Sequence, residues 1–299
     1  MFISRAKDFS PKQIRGDVRD AIRTVSETEL RGWVKWLSVP RHFFAQPEAN
    51  REAGEWIAET LRGWGYDVQF QGDYANVVAL PRRPGTELVL VGAHYDSVPT
   101  TPGADDNASA VATMLACAKI CSSFPGAPQV CFVAFNREED NLAGSRDFVE
   151  NYLPHADFSV ITAHVLEMVG YASSEPGSQR LPDKLPVRVS NIGDFLALLA
   201  NRHSSRMADD LLKTARGYLP DFPVMNLKVA MGVERFFPVL FRSDHAPFWQ
   251  AGIPSVMWTD TSEFRNPNYH LPSDTPETLD YQFLTNVTKL LCAHILGGR

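Results

Sequence analysis

The sequence predicts an α/β fold, a three-layer α/β/α sandwich around a mixed, mostly parallel central sheet. Runs typical of strands alternate along the chain with runs typical of helices, which is the order of a sheet covered by helices on both faces. Hydrophobic residues make up 44% and charged residues 21% of the 299 residues, as in ordinary globular proteins. Several apolar runs end in histidine or acidic residues, as expected where strands of such a sheet end at a binding site.

The first long amphipathic run, EWIAETLRGWG, predicts a helix that ends at Gly65. Four apolar side chains share one face of this helix: Trp56, Ile57, Leu61 and Trp64. An alternating strand through Val68 and Phe70 follows. Further strands are predicted at 76–80, 87–94, 130–136, 158–170 and 252–258, and further helices at 108–123 and 145–153.

The whole chain, 1–299, is predicted to form one catalytic domain. Its first part, about 1–40, is predicted to be helical. Residues 172–240 interrupt the alternation of strands and helices and are interpreted as an insertion near the site. Within this insertion, 192–215 has a helical pattern and 217–238 an irregular one.

Charge and composition exclude several partners. The net charge of −6, without a local cluster of Lys and Arg, argues against nucleic acid. No run of about 18 apolar residues and no signal-type N-terminus are present, so we expect no membrane partner and a cytoplasmic location, with a secreted mature form as the alternative. The cysteines lack metal-site spacing and are interpreted as small core residues: Cys117, Cys121, Cys131 and Cys292. The sequence leaves the oligomeric state open.

Residues that bind metals follow successive predicted strands. His94 closes one strand, Glu138 and Glu139 follow the next, and Glu167 and His270 follow the later ones. Nitrogen and carboxylate oxygen ligands of this kind suit zinc ions, and carboxylates can bridge a pair of them. Any one acidic residue at a strand end has an ordinary explanation as a turn or helix cap. Several together favour a metal site.

Six motifs resemble those of the dizinc exopeptidase family, which includes bacterial leucyl aminopeptidases, aminopeptidase Y, glutamate carboxypeptidases and glutaminyl cyclases. The motifs are GAHYDS, PGADDNAS, NREEDNLAGS, LEMVG, SDHAPFW and NYHLPSDT. They run in the family's order from about residue 30 to the C-terminus, and the 172–240 segment matches only loosely. The resemblance implies the zinc-exopeptidase (phosphorylase/hydrolase-like) form of the sandwich.

The resemblance implies two zinc ions per chain. One would be bound by His94, Asp106 and Glu167, and the other by Asp106, Glu139 and His270. Asp106 would bridge the two ions and precede a cis peptide bond, whereas its neighbour Asp105 would be solvated.

Asp96 and Glu138 are predicted to act beside the metal ligands. Asp96 lies two residues after His94 at a strand end, on the same side, and is expected to accept the remaining imidazole N–H. Adjacent side chains diverge, so Glu138 and Glu139 can have different tasks. The resemblance makes Glu138 the general base that activates the zinc-bridging water.

Arg242 and Tyr269 are implied by the resemblance to stabilise the developing oxyanion. His245 lies in SDHAPFW and is placed near the site without an assigned role. His164 is three residues from Glu167 in a strand, so it points to the opposite face and is excluded as a ligand. The remaining histidines lack such neighbours and are interpreted as structural or surface residues without an assigned role: His42, His155, His203 and His294.

These features together predict a zinc-dependent metallopeptidase that hydrolyses a terminal peptide or amide bond, in the first place an aminopeptidase. The substrate would be a peptide or an N-terminal amino-acid derivative. Glu167 departs from the Asp of the commonest aminopeptidases, so carboxypeptidase, aminoacylase and glutaminyl cyclase-like activities stay open. A non-catalytic binding protein on the same fold is the alternative from another class, and zinc content distinguishes it.

Overall fold

The computed structural model describes residues 1–183, 185–229 and 232–298. Its helices are α1 (Gly16–Arg23), α2 (Glu27–Leu37), α3 (Pro47–Gly63), α4 (Ala110–Ser123), α5 (Ala143–Asp147), α6 (Ser205–Tyr218), α7 (His245–Gln250) and α8 (Tyr281–Gly297). Its strands are β1 (Phe2–Arg5), β2 (Asp67–Gln71), β3 (Asn76–Leu80), β4 (Glu87–His94), β5 (Val130–Phe135), β6 (Ser159–Glu167), β7 (Leu196–Ala200), β8 (Val224–Lys228) and β9 (Ser255–Thr259).

The strands form one mixed sheet in the order β1-β8-β7-β9-β6-β4-β5-β3-β2. In the described part of the chain, four strand pairs are parallel, including the central run β9-β6-β4-β5. Four pairs nearer the two edges are antiparallel. The mixed sheet is therefore confirmed, and its parallel part lies at the centre, where both faces are covered.

Helices and loops cover both faces of the sheet. Alternate strand residues such as Val77 and Ala79 enter a large apolar cluster with residues of α1, α2, α3, α4, α6 and α8. The intervening residues, such as Val78, pack with Phe148 and Phe248 on the other face. Because successive strand side chains point to opposite faces, both layers bury apolar surface. The three-layer sandwich is confirmed.

Several helices begin at a side chain that satisfies a free backbone N–H group. The Ser26 hydroxyl accepts the N–H of Glu29 at the start of α2, and the Asp280 carboxylate accepts that of Phe283 at the start of α8. In the part of the chain that the structure describes, no helix is long and apolar enough to cross a bilayer. All four cysteines are buried and unpaired, as expected for core residues.

The helical prediction for 192–215 is wrong in its first part. Leu196–Ala200 is strand β7, and only Ser205–Tyr218 is helical. The irregular region 217–238 likewise contains β8. The run LALLA is apolar at every position, so periodicity cannot distinguish a buried strand from a buried helix there. Part of the predicted insertion therefore belongs to the central sheet.

The N-terminal segment is not helical throughout. It contains α1 and α2, but Phe2–Arg5 is the edge strand β1, which pairs antiparallel with β8. Four residues carry too little periodicity to identify a strand, and this one forms because β8 offers free backbone groups. The extent of the domain as 1–299 stays a prediction.

Arg41 is a buried cation that sequence reasoning did not identify. Its side chain is fully buried and donates to backbone oxygens on both sides of the site loop. The acceptors are the carbonyls of Leu37, Val39, Tyr95, Pro102 and Gly103, at 2.5 to 3.2 Å. Burial lowers the pKa of Arg41 to about 10, and nearby carboxylates partly offset this. Arg41 thus ties the end of α2 to the loop before Asp106.

We expect Arg41→Ala to lower the free energy of unfolding by at least about 3 kcal/mol. Each buried carbonyl left without a donor costs about 1 to 3 kcal/mol. Urea unfolding followed by circular dichroism measures the change. Arg51→Ala is the control, because Arg51 forms an exposed pair with Glu55 on α3 and should change stability by less than about 1 kcal/mol. Equal effects of the two substitutions would contradict the prediction.

Candidate metal centre

The central parallel strands bring the acidic residues and His94 to one edge of the sheet. His94 is the last residue of β4 and Glu167 the last of β6. Glu138 and Glu139 follow β5, which pairs with β4. Because neighbouring parallel strands end at the same edge, these side chains converge there.

The structure brings all five predicted ligands together. The Nε2 atom of His94 lies 3.3 Å from Oδ1 of Asp106 and 3.5 Å from Oε2 of Glu167. The Nε2 atom of His270 lies 3.1 Å from Oδ2 of Asp106 and 3.3 Å from Oε2 of Glu139. The two oxygens of Asp106 therefore face two different histidines, as a bridging carboxylate requires.

Two groups of ligand atoms have metal-site spacing. In the first, atoms of His94, Glu138 and Glu167 lie within 4.8 Å of one another, and in the second, those of Asp106, Glu139 and His270 do. Glu138 is thus a member of the first group, with its Oε2 4.0 Å from Nε2 of His94, although the resemblance assigns it no metal. Nε2 of His94 and Oδ1 of Asp106 are buried without a hydrogen-bond partner. Unpaired buried nitrogen and oxygen atoms of this kind fit a divalent cation.

The carboxylates of the cluster favour the protonated, positively charged forms of its histidines. Burial lowers the pKa of His270, but hydrogen bonds with Asp106 and Glu139 outweigh it and raise the value to about 10. Burial also lowers the pKa of His94, but the negative charges of Glu167 and Glu138 outweigh it and raise the value. Burial, then the Asp106 charge, raises the pKa of Glu139 to about 7. Divalent cations bound here would neutralise the carboxylates in place of these protons.

Asp96 connects His94 to the two glutamates. Its Oδ1 lies 3.3 Å from Nδ1 of His94, on the side of the ring away from the cluster. The same carboxylate accepts the backbone N–H groups of Glu138 at 3.2 Å and Glu139 at 3.3 Å. Asp96 is fully buried and therefore orients the imidazole and the turn after β5 together.

We expect Asp96→Asn to weaken zinc binding about 10- to 100-fold, the usual effect of losing a partner behind a metal ligand. The amide retains one acceptor for two backbone N–H groups and cannot stabilise the same imidazole tautomer. Competition with a zinc chelator measures the affinity. Asp20→Asn, on the exposed side of α1, is the control and should bind zinc like the unmodified chain.

The turn that carries Asp106 is held against β6. Ala104–Ser109 forms a π-type turn, and the Asp106–Asn107 peptide bond is cis, which confirms that prediction. The Asn107 side chain donates to the carbonyl of Leu166 at 3.0 Å and accepts the N–H of Met168 at 2.9 Å. The Asn107 side chain thus binds the backbone on both sides of Glu167.

The prediction that Asp105 is solvated is wrong. Its side chain is fully buried and accepts hydrogen bonds from the N–H of Gly170 at 2.8 Å and the amide of Asn266 at 2.8 Å. Asp274 accepts the N–H groups of Asp105 and Asp106 in turn, at 2.9 and 3.1 Å. Adjacent residues diverge, so Asp105 points into the protein where Asp106 points into the cluster.

Sequence reasoning did not assign Ser243 or Asp244, although both lie in the quoted motif SDHAPFW. The Ser243 hydroxyl donates to Oε2 of Glu167 at 2.7 Å. Asp244 is fully buried, and burial raises its pKa to about 7. Attention to polar residues beside the motif's histidine could have identified Ser243 as a partner of Glu167.

Arg242 and Tyr269 lie together beside the cluster. Nη2 of Arg242 donates to the Tyr269 hydroxyl at 3.0 Å, and Arg242 also pairs with Glu263. The Tyr269 ring stacks on His270 with 3.8 Å between ring centres. The phenol oxygen already accepts from Arg242, so its own O–H can point elsewhere.

The other histidines lie outside the cluster. His245 is buried with its Nε2 at 2.9 Å from the Leu240 carbonyl, and burial lowers its pKa to about 4. His164 is on the opposite face of β6, where its Nδ1 accepts the Trp258 indole N–H at 3.2 Å. His294 packs against His164. The two metal groups in the described chain contain none of them, nor His42, His155 or His203.

Comparison with known sequences identifies the family. The profile described as Peptidase family M28 matches residues 76–295, which is more than half of the chain. The chain belongs to peptidase family M28. As a member of this family it is a hydrolase, and its substrates are peptides.

Two relatives of this M28 chain extend over most of it. It is 33% identical over 300 residues to the uncharacterized protein YfbL of Escherichia coli K12, covering 95% of this chain and 87% of YfbL. It is 31% identical over 213 residues to aminopeptidase YwaD of Bacillus subtilis 168. That match covers 70% of this chain but only 40% of YwaD.

Solved structures agree on the fold of this M28 chain. LapB of Legionella pneumophila matches with a TM-score of 0.74 at 21% identity, over 95% of this chain and 75% of LapB. The glutaminyl cyclase of Porphyromonas gingivalis matches with a TM-score of 0.68 at 20% identity, over 92% of this chain and 99% of that chain. At these identities the likeness concerns the fold alone.

Proposed function

We propose that this M28 chain is a zinc aminopeptidase with two zinc ions in its cluster. The observation that carries the proposal is the position of Asp106, whose two oxygens each face a separate histidine. One ion would be held by His94, Asp106 and Glu167, and the other by Asp106, Glu139 and His270. The relative YwaD, described as an aminopeptidase, supports the choice among exopeptidases.

Glu138 is the proposed general base. When bound, a pair of zinc ions would lower the pKa of a water molecule and polarise the scissile carbonyl. The Glu138 carboxyl takes a proton from the attacking water and passes it to the leaving amine. Burial raises the pKa of Glu138, and the charges of Glu167 and Glu139 add to the shift.

Tyr269 is the proposed donor to the developing oxyanion. The guanidinium of Arg242 donates to its phenol oxygen, which leaves the phenol hydrogen free for the substrate. The pairing of Arg242 with Glu263 keeps that guanidinium in place. Arg242 therefore acts through Tyr269 rather than on the substrate directly.

Zinc content and a substrate panel test the proposal. The purified protein should contain two zinc ions per chain and hydrolyse aminoacyl p-nitroanilides. Glutaminyl peptides monitored for cyclisation and C-terminally unblocked peptides represent the cyclase and carboxypeptidase alternatives. Two bound zinc ions without aminoacyl nitroanilide hydrolysis would overturn the aminopeptidase assignment, and absence of zinc binding would overturn the metal site as well.

A further inference from the structure

A channel leads from the metal cluster along one face of the sheet. The cavity lined by Glu138, Glu167 and His270 has a volume of about 440 Å³ and continues to Ile3 on the edge strand β1. Cavities of roughly 300 to 1,000 Å³ hold whole ligands rather than single side chains. The channel is therefore larger than a site for the scissile bond alone.

Two rows of side chains in register form the floor of the channel. Thr259 of β9 is opposite Ala197 of β7, which is opposite Met225 of β8. One step along the strands, a second row joins Met257, Leu199, Leu227 and Ile3. From β9 to β1 there are three strand spacings of about 4.8 Å, so the floor is roughly 14 Å long.

Most of the remaining lining away from the cluster is also apolar. Two stretches of the chain contribute to this lining, one within 181–183 and 185–189 and the other at 239–241. Their lining side chains are Leu181, Pro182, Leu185, Val187, Val239 and Phe241. The channel therefore offers mainly apolar surface to its occupant, and the charged side chains of Arg180, Arg242 and Glu263 also line the cavity.

A leucine side chain would fill only the beginning of this channel, because three carbon–carbon bonds of about 1.5 Å reach roughly 4 Å beyond its Cα. A linear chain of about ten carbons, at roughly 1.3 Å projected length per bond, would reach the end. The length of the apolar floor thus fits an extended hydrocarbon chain better than a protein side chain.

The opposite side of the cluster carries a cation. Arg146 lines the same cavity from α5, which follows β5. The strand order β9-β6-β4-β5 places β5 and the channel floor on opposite sides of the cluster. Arg146 is exposed, and the ion pairs of the described residues do not include it. An anionic group of a substrate that spans the cluster would meet its guanidinium.

We propose that this site also hydrolyses N-acyl amino acids whose acyl group is a linear chain of about ten carbons. The acyl chain would lie in the channel, and the free carboxylate of the amino acid would pair with Arg146. Water adds across the amide: the C–N bond breaks, a C–O bond forms to give a fatty carboxylate, and the amino acid leaves as its amine with the transferred proton. This inference rests on the proposed zinc hydrolase site, although it does not require aminopeptidase activity.

The test uses the zinc-loaded full chain with N-acetyl-, N-hexanoyl- and N-decanoylglycine, and release of glycine is measured. Each buried methylene should raise kcat/KM about threefold to fourfold until the channel is full. We therefore expect decanoylglycine to exceed acetylglycine by at least 100-fold. Equal rates for all three substrates, or a maximum at acetylglycine, would overturn the inference.

Two variants test the two ends of the proposed substrate. Ile3→Trp should lower the ratio of decanoyl to hexanoyl kcat/KM at least 10-fold, because the larger ring closes the far end. The control is Phe2→Trp, on the outward face of the same strand and 64% exposed, which should keep the ratio. Arg146→Gln should raise KM more for decanoylglycine than for decanoyl p-nitroanilide, which lacks the carboxylate.

The outcomes separate this inference from the proposed function. Hydrolysis of aminoacyl nitroanilides without hydrolysis of any N-acylglycine would overturn the inference and leave the aminopeptidase standing. Hydrolysis of decanoylglycine without aminoacyl hydrolysis would overturn the aminopeptidase and support the inference. If Ile3→Trp leaves the dependence of kcat/KM on chain length unchanged, the acyl chain does not lie in this channel.

Discussion

Glu138→Gln should retain two zinc ions per chain and lose about 10²- to 10⁴-fold in kcat. A positioned general base contributes that factor, and the amide cannot accept the proton of the attacking water. Glu138 adjoins Glu139, which faces His270 at 3.3 Å and is the better placed of the two to bind a metal. Zinc analysis and kcat on an aminoacyl nitroanilide give the two readouts.

Glu139→Gln is the matched control for this prediction. The two residues are adjacent and chemically equal, yet Glu139→Gln should loosen one zinc ion. Oε2 of Glu138 lies 4.0 Å from Nε2 of His94, close enough to make the opposite assignment testable. If Glu138→Gln loses zinc but keeps its activity per bound metal, then Glu138 is the ligand and Glu139 the base.

Asp106→Asn should have the second large effect, loss of both metals. Asp106 faces His94 with one oxygen and His270 with the other, so its loss affects both proposed metal positions. Zinc content should fall below one ion per chain. Because metal ions supply several kcal/mol of transition-state stabilisation, kcat/KM should fall by roughly 10³-fold or more.

Asp105→Asn is the control that distinguishes the role of the bridging carboxylate from that of its neighbour. Asp105 accepts hydrogen bonds from Gly170 and Asn266 inside the protein, so its amide variant should keep zinc. It should instead lose about 1 to 3 kcal/mol of unfolding free energy through impaired buried hydrogen bonds. Retention of both zinc ions by Asp106→Asn would contradict the bridging role.

Local patterns predicted most of the central elements. The strands at β3, β4, β5 and β6 are short apolar runs between turn residues, and α3 shows a helical apolar face. The edge strand β1 and the strands β7 and β8 were missed. Their identity depends on pairing with strands distant in sequence, and an all-apolar run such as LALLA has no period that reveals it.

Local patterns likewise identified some residues of the site and missed others. His94, Asp106, Glu139, Glu167 and His270 were identified because their residue types and motif context point to metal ligands. Asp96 was identified behind His94 because it lies only two residues away. Ser243 and Asp274 were not identified, since Ser243 is 76 residues from Glu167 and Asp274 is 168 residues from Asp106. A hydrogen bond between such positions has no local signature in the chain.

The sequence by itself determined that the chain has an α/β sandwich and which acidic and histidine side chains are candidates for metal binding. Only the tertiary structure decided that Asp105 is buried while Asp106 faces two histidines, and that β7, β8 and β1 extend the floor of the site. The physical reason is that burial, hydrogen-bond partners and cavity shape arise from contacts between distant segments. Residue type and periodicity describe only what each segment can contribute.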